Sequence, residues 1–131
     1  MAFLNHFTDD GRIPSHEYLP CSAMTPKVGM ALVLVSGVLV AASGITKPAY
    51  ICQTERDSEV EAGELIPVNR VLPDMAYETT FSASASSVKI GDKVTLAAGG
   101  KQVTATTTDG VAEIVSMEGT AAGSKVIVRF P

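Results

Sequence analysis

The chain has 131 residues, 46% of them apolar and 18% charged, with a formal charge of −4. That is one domain's worth of polypeptide, apolar enough to bury a core without metals or disulfides, and wholesale disorder is excluded. Aromatics are few (four Phe, three Tyr, no Trp) while Val, Ala, Thr, Ser and Gly are abundant, so an aliphatic core built from short strands is expected.

Residues 1–27 keep no sustained period of 2 or 3.6. Asp10-Gly11, Ile13-Pro14, Leu19-Pro20 and Thr25-Pro26 divide them into short extended pieces, because a residue before proline is pushed out of the helical region. Phe3, Leu4, Phe7, Ile13, Tyr18 and Leu19 make this arm too apolar for a solvated tail. It is expected to lie on its own domain or on another chain, with those six residues as the contacts.

Residues 28–45 carry no charge and are flanked by Lys27 and Lys47, so by length alone they could span a membrane or form the apolar part of a signal sequence. Their Val-rich make-up, the glycines and serines among them, and a net-acidic segment of 27 residues in front argue against both. Ser36-Gly37 in the middle reads instead as a two-residue hairpin connection between strands at 30–35 and 38–42. Both faces of that hairpin are apolar, so both need covering, by a second sheet or by a neighbour.

Further strands are expected at 49–52 and 64–71, the latter as an edge or bulged strand because of Pro67. Residues 77–81 alternate weakly, and the Ser/Ala run at 82–87 reads as a flexible joint. Strands at 93–97, 102–107, 112–116 and 125–130 follow, separated by Gly99-Gly100, Asp109-Gly110 and the glycines of 119–123. The pattern G-x-x-φ-x-φ (φ apolar) starts at Gly29, Gly63, Gly91 and Gly123, at spacings of 34, 28 and 32. Gly supplies a turn and alternate residues then face inward. Recurrent turn-to-strand chemistry explains this, and the spacings are too irregular to establish a duplication. The expected fold is all-β, a small β-sandwich or partly open barrel with an extended N-terminal arm. Its divisions are an arm at 1–27, a core with the apolar hairpin at 28–75, and a strand module at 76–131 that is either separate or continuous with the core.

Charge and chemistry narrow the function. The net charge by segment is −1 for residues 1–27, +1 for 28–53, −5 for 54–78 and +1 for the rest. No window concentrates Lys and Arg as nucleic-acid binding requires. Cys21 and Cys52 form neither a CxxC pair nor a zinc framework, and are expected as buried apolar side chains; one disulfide is the alternative. His6, Asp9, Asp10, His16, Glu17 and Cys21 could be drawn as a metal site, but they lack ligand spacing, and an extended arm points successive side chains apart. Glu55, Asp57, Glu59 and Glu61 alternate strictly without the Asn, Asp and Gly positions of a calcium loop, and read as a solvated loop. No GxSxG, P-loop or dinucleotide fingerprint occurs, so no enzyme, metal or cofactor is expected.

The arm, Val28-Gly29-Met30-Ala31-Leu32 through Ser36-Gly37-Val38-Leu39, then Lys47-Pro48-Ala49-Tyr50-Ile51 and Gly63-Glu64-Leu65-Ile66-Pro67-Val68, resembles the small decoration (head-stabilising, or cement) proteins of tailed bacteriophages. The resemblance covers residues 1–75 by pattern and the remainder by general character. It implies a non-enzymatic structural virion protein on the exterior of an icosahedral capsid, assembled in the host cytoplasm. The implied partners are the major capsid protein and copies of itself, with a trimer favoured, and neither nucleic acid nor membrane. Two other readings are a cell-surface adhesion or carbohydrate-binding β domain, suggested by the Ser/Thr-rich later strands, and a small membrane protein spanning at 28–45. Scarce Trp and Tyr leave a sugar without its usual aromatic platform.

Overall fold

A computed structural model describes residues 3–8 and 16–131, with backbone only for 4–8. The strands are β1 (Leu4–Thr8), β2 (His16–Pro20), β3 (Ala31–Val35), β4 (Val38–Ala41), β5 (Tyr50–Cys52), β6 (Leu65–Arg70), β7 (Met75–Thr80), β8 (Lys93–Val94), β9 (Ala112–Met117) and β10 (Lys125–Arg129). They form two five-stranded antiparallel sheets, β1-β7-β10-β9-β8 and β2-β6-β5-β3-β4. The fold is all-β and sandwich-like, and no helix occurs among the described residues.

The sheet that contains β2 curls until its ends meet, and the other closes on β7, leaving β1 outside the ring. Ser22 donates its backbone N–H to Leu39 O (3.0 Å), joining the end of β2 to β4. In the other sheet Ser82 donates to Val103 O (2.8 Å), and Val103 is bridged in turn to Leu96 beyond β8. A small core fills the ring closed through Leu39: Cys21, Met30, Leu32, Leu39, Tyr50, Cys52, Val60, Ile66 and Val68. The larger core gathers the inner side of the other sheet, including Tyr77, Val94, Ile114, Val126 and Phe130, together with Ala31, Ala42 and Ile51 from the first. Gly44 and Leu96 exchange both backbone hydrogen bonds at 2.9 Å, tying the two sheets together.

The four glycine motifs are one device used four times. Gly29, Gly63, Gly91 and Gly123 have φ of 83°, 89°, 94° and 87°. In each, the residue after Gly donates its N–H to the carbonyl two residues before it, at 3.0–3.1 Å, and the strand begins one residue later. That is a type II turn, which requires positive φ at its third residue. Each Gly N–H closes on the neighbouring strand, at Cys52, Cys21, Ile114 and Phe81 respectively, at 2.8–2.9 Å. The first apolar position of every motif is buried: Leu32, Ile66, Val94 and Val126. At the second, Val68, Leu96 and Val128 are buried, and Leu34 alone is exposed.

Taken in alternation these turns reveal an internal repeat. Gly29 and Gly91 are 62 residues apart, and Gly63 and Gly123 are 60 apart. Strands β2, β3, β5 and β6 correspond to β7, β8, β9 and β10, and they are joined in the same order. β4 corresponds to the stretch at Val103, and the two closing bonds from Ser22 and Ser82 also correspond, 60 residues apart. Adjacent spacings hide this period because the connections within each repeat differ in length.

Several local expectations are corrected. β6 is an internal strand despite Pro67: its ring nitrogen faces the β5 side, where β5 has ended at Cys52 and no ladder donor is needed, while Pro67 O accepts from Gln53 N–H at 3.0 Å. Residues 82–87 are not a joint. Ala85 is fully buried and donates to Thr120 O at 2.7 Å. The strands expected at 93–97 and 102–107 shrink to Lys93–Val94 and isolated bridges at Leu96 and Val103, because the chain turns through Gly99-Gly100, where a Cβ on Gly100 would lie 2.6 Å from Ala31 O. The segment expected as an arm is shared out: β1 joins one sheet and β2 the other, and the expected boundary at 75/76 falls inside β7.

Candidate functional site

The six arm residues do not form one surface. Phe3 is fully buried in the chain's own core, edge-on to Phe130 at 5.4 Å between ring centroids, and its N–H donates to Gly29 O at 2.7 Å. This corrects its assignment as an outward contact: the aromatic ring fills space between the repeats that the aliphatic side chains leave. Leu4 and Phe7 lie on β1, opposite Glu78 and Ala76 of β7, and their side chains are outside the described residues, as is Ile13 altogether. Leu19 turns inward against the smaller core. Tyr18 is 64% exposed on the outer face of β2.

An exposed apolar face is built from the first repeat. In β3 and β4 the pairs are Leu32↔Ala41, Val33↔Val40, Leu34↔Leu39 and Val35↔Val38. Opposed residues share a face, so Leu32, Leu39 and Ala41 point into the ring, whereas Val33, Val35, Val38 and Val40 point out. Ser36 (φ 51°) and Gly37 (φ 83°) make the tight turn the sequence suggested, and they carry the tip beyond the core. There Val35 is 52% and Leu34 39% exposed. β2 lies beside β4, and its outer face adds Tyr18 and Pro20, with Pro67 and the exposed Leu65 of β6 opposite them. Residues 28–46 contain no charged side chain.

One end of this face is acidic. Residues 53–64 run beside the segment that follows β2, held by Arg56 N–H to Pro26 O (3.0 Å), Val60 N–H to Met24 O (2.9 Å) and Cys21 N–H to Glu64 O (2.9 Å). Buried Val60 anchors this loop, and Glu55, Asp57, Glu59 and Glu61 project into solvent. The Arg56–Glu64 ion pair (2.8 Å) is itself largely solvated and adds little stability. At the far end of β2, Glu17 receives two hydrogen bonds from Arg70 (3.1 and 3.3 Å), whose guanidinium sits 5.4 Å from the Tyr50 ring centroid.

Among the described residues no three His, Cys, Asp or Glu side chains come together as a metal site. Cys21 and Cys52 are free and buried in the smaller core, and burial pushes both thiols up, away from the reactive thiolate. A depression of about 100 Å³ lies on the other sheet, bordered by Glu78, Met117 and Lys125; typical ligand pockets are several times larger, about 300–1,000 Å³. No described helix is long and apolar enough to cross a membrane. The sequence named contact residues only on the arm; it marked the hairpin of Leu34 and Val35 as needing cover without singling out those residues, and it did not mark Leu65. Exposure at those positions depends on where the ring of strands ends, which no local pattern encodes. Compared with known proteins, the chain matches no family model and no curated sequence.

Proposed function

We propose that this protein is a non-enzymatic structural component of a virion, which binds the outer surface of an icosahedral phage capsid and stabilises contacts between major capsid subunits. Under this reading it is assembled in the host cytoplasm and works as a homo-oligomer, a trimer being favoured. One observation carries it. Of the eight inward apolar positions in the four glycine motifs, seven are buried and Leu34 is not, because the β3–β4 hairpin reaches past the core that the other strands cover. The hairpin tip exposes Leu34 on one face and Val35 on the other, with Tyr18 and Leu65 exposed on β2 and β6, and exposed apolar side chains of this kind mark protein contact. Covering the part of each such side chain that is still exposed contributes roughly 0.5–2 kcal/mol before docking costs. Repetition over a symmetric shell then multiplies a modest single contact. The resemblance to decoration proteins supplies the partner.

The test is co-sedimentation with undecorated heads of the phage encoding the chain. Native protein is expected to saturate the heads, and Leu34→Ser with Val35→Ser to weaken binding by about tenfold or more, the loss typical of contact residues worth over 1 kcal/mol each. Equal binding by that variant would remove the hairpin from the contact, and no binding by the native chain would remove the function.

A further inference from the structure

The internal repeat brings out an asymmetry. In the second repeat, β7 is used on both sides: β10 lies along one, and β1 fills the first half of the other. Phe81 N–H donates to Ser124 O on the β10 side and Ser82 N–H to Val103 O on the opposite side, so the backbones of residues 76 and 78 face away from β10. Those are the residues that stand opposite Phe7 and Leu4 of β1.

The first repeat has the same edge without the strand. Cys21 N–H donates to Glu64 O on the β6 side and Ser22 N–H to Leu39 O on the other. By alternation the backbones of His16 and Tyr18 face away from β6. Pro67 confirms this parity from the other side, since it stands opposite Tyr18 while its carbonyl points toward Gln53. Counting back from the equivalent bonds at Ser22 and Ser82, His16 corresponds to Ala76 and Tyr18 to Glu78. Among the described residues no strand pairs with this edge of β2 before β4 closes on it at Cys21. The edge is bordered by the exposed Tyr18 and by the hairpin of Leu34, Val35 and Val38.

We infer that the outer edge of β2 accepts an extended strand from a different protein, antiparallel to β2 and hydrogen-bonded to the backbones of His16 and Tyr18, as β1 is to β7. Backbone pairing supplies the affinity of such strand addition, and side chains at alternate positions supply its specificity. Tyr18 points outward, so the residue paired with it lies on the outer face and is apolar, while the strand's far side meets the valine hairpin. Each copy already uses β1 on its own β7, so the β1 of a second copy is not free to fill the slot; two β2 edges pairing about a twofold axis is the competing outcome, and a dimer of the native chain through β2 would overturn the inference. The inference rests on the proposed role for the donor's identity, a segment of the capsid subunit, and on the repeat alone for the slot.

Proline at position 18 separates the slot from the fold. Its missing N–H is one that faces the open edge, so the β2–β6 ladder keeps its bonds while an incoming strand loses a donor and meets the ring. The probe is a synthetic peptide of residues 3–8, which holds the strand seated on the equivalent edge of β7, titrated into the full-length isotope-labelled chain and followed by amide NMR. Saturable shifts are expected at His16, Tyr18, Leu34 and Val35. Tyr18→Pro is expected to weaken binding at least about tenfold, and Tyr18→Thr, which keeps the N–H, to weaken it less. Shifts confined to Ala76 and Glu78, no shift at β2 under large peptide excess, or equal binding by Tyr18→Pro would overturn the inference. Undecorated heads separate this outcome from the proposed role. If native protein and Tyr18→Pro decorate heads equally, strand addition fails while shell binding stands. If the peptide seats on β2 but native protein ignores heads, the slot stands and the shell is the wrong donor.

Discussion

Tyr77 is the bulkiest of the fully buried side chains, and burial pushes its phenol from an ordinary value of 10.0 up to about 12. Because the folded state holds this proton more tightly than the unfolded chain, Tyr77 leaves stability unchanged below pH 10 and erodes it as pH rises from 10 to 12. A two-unit shift corresponds to at most about 3 kcal/mol. Urea unfolding at pH 9, 10 and 11 is expected to show this decline, and Tyr77→Phe to flatten it. Single residues also explain where the sequence was opaque. Phe3 reads as a surface contact from its place in a proline-broken arm, yet its ring meets Phe130 near the opposite end of the chain. No local window holds both. Leu34 satisfies the same inward pattern as Ile66 or Val126, and only the length of the hairpin relative to the core exposes it. Cys21 and Cys52, by contrast, are buried and free, as their spacing and the absence of a metal framework suggested.

Among the elements, turns were legible and pairings were not. Every G-x-x-φ-x-φ motif starts a strand two residues after its glycine, since positive φ and a short hydrogen-bonded turn are local requirements. An added Cβ would touch nothing at Gly63 or Gly123, so alanine there meets only backbone strain. Gly63→Ala and Gly123→Ala are each expected to cost roughly 1–2 kcal/mol, similar in the two repeats, by urea midpoint. Gly110→Ala places its Cβ 2.0 Å from Lys93 O and is expected to cost more than either. The β3–β4 hairpin was equally legible, through Ser36-Gly37 between apolar runs. What escaped was the weak second-repeat counterpart of β4, reduced to a bridge at Val103, and the internal place of Pro67. Both depend on where a partner strand stops, which is a property of the sheet and not of the segment.

At the level of the whole molecule, one ring-like sheet topology occurs twice and is used differently. The second repeat is completed by β1 and contributes most of the larger core, whereas the first presents an uncharged valine hairpin, an acidic loop and an open strand edge. The all-β class followed from composition and turns, because β-branched residues and regularly placed glycines leave few other solutions. The two-repeat plan did not, since unequal connections mask a period near sixty. Under the proposed function, the first repeat would face the shell and the second solvent. Cryo-electron microscopy of decorated heads tests it most directly. The account predicts density joining the capsid to the β3–β4 hairpin and to an added strand beside Tyr18, with β8–β10 outermost. Capsid contact made by the second repeat, with Leu34, Val35 and Tyr18 left in solvent, would contradict it.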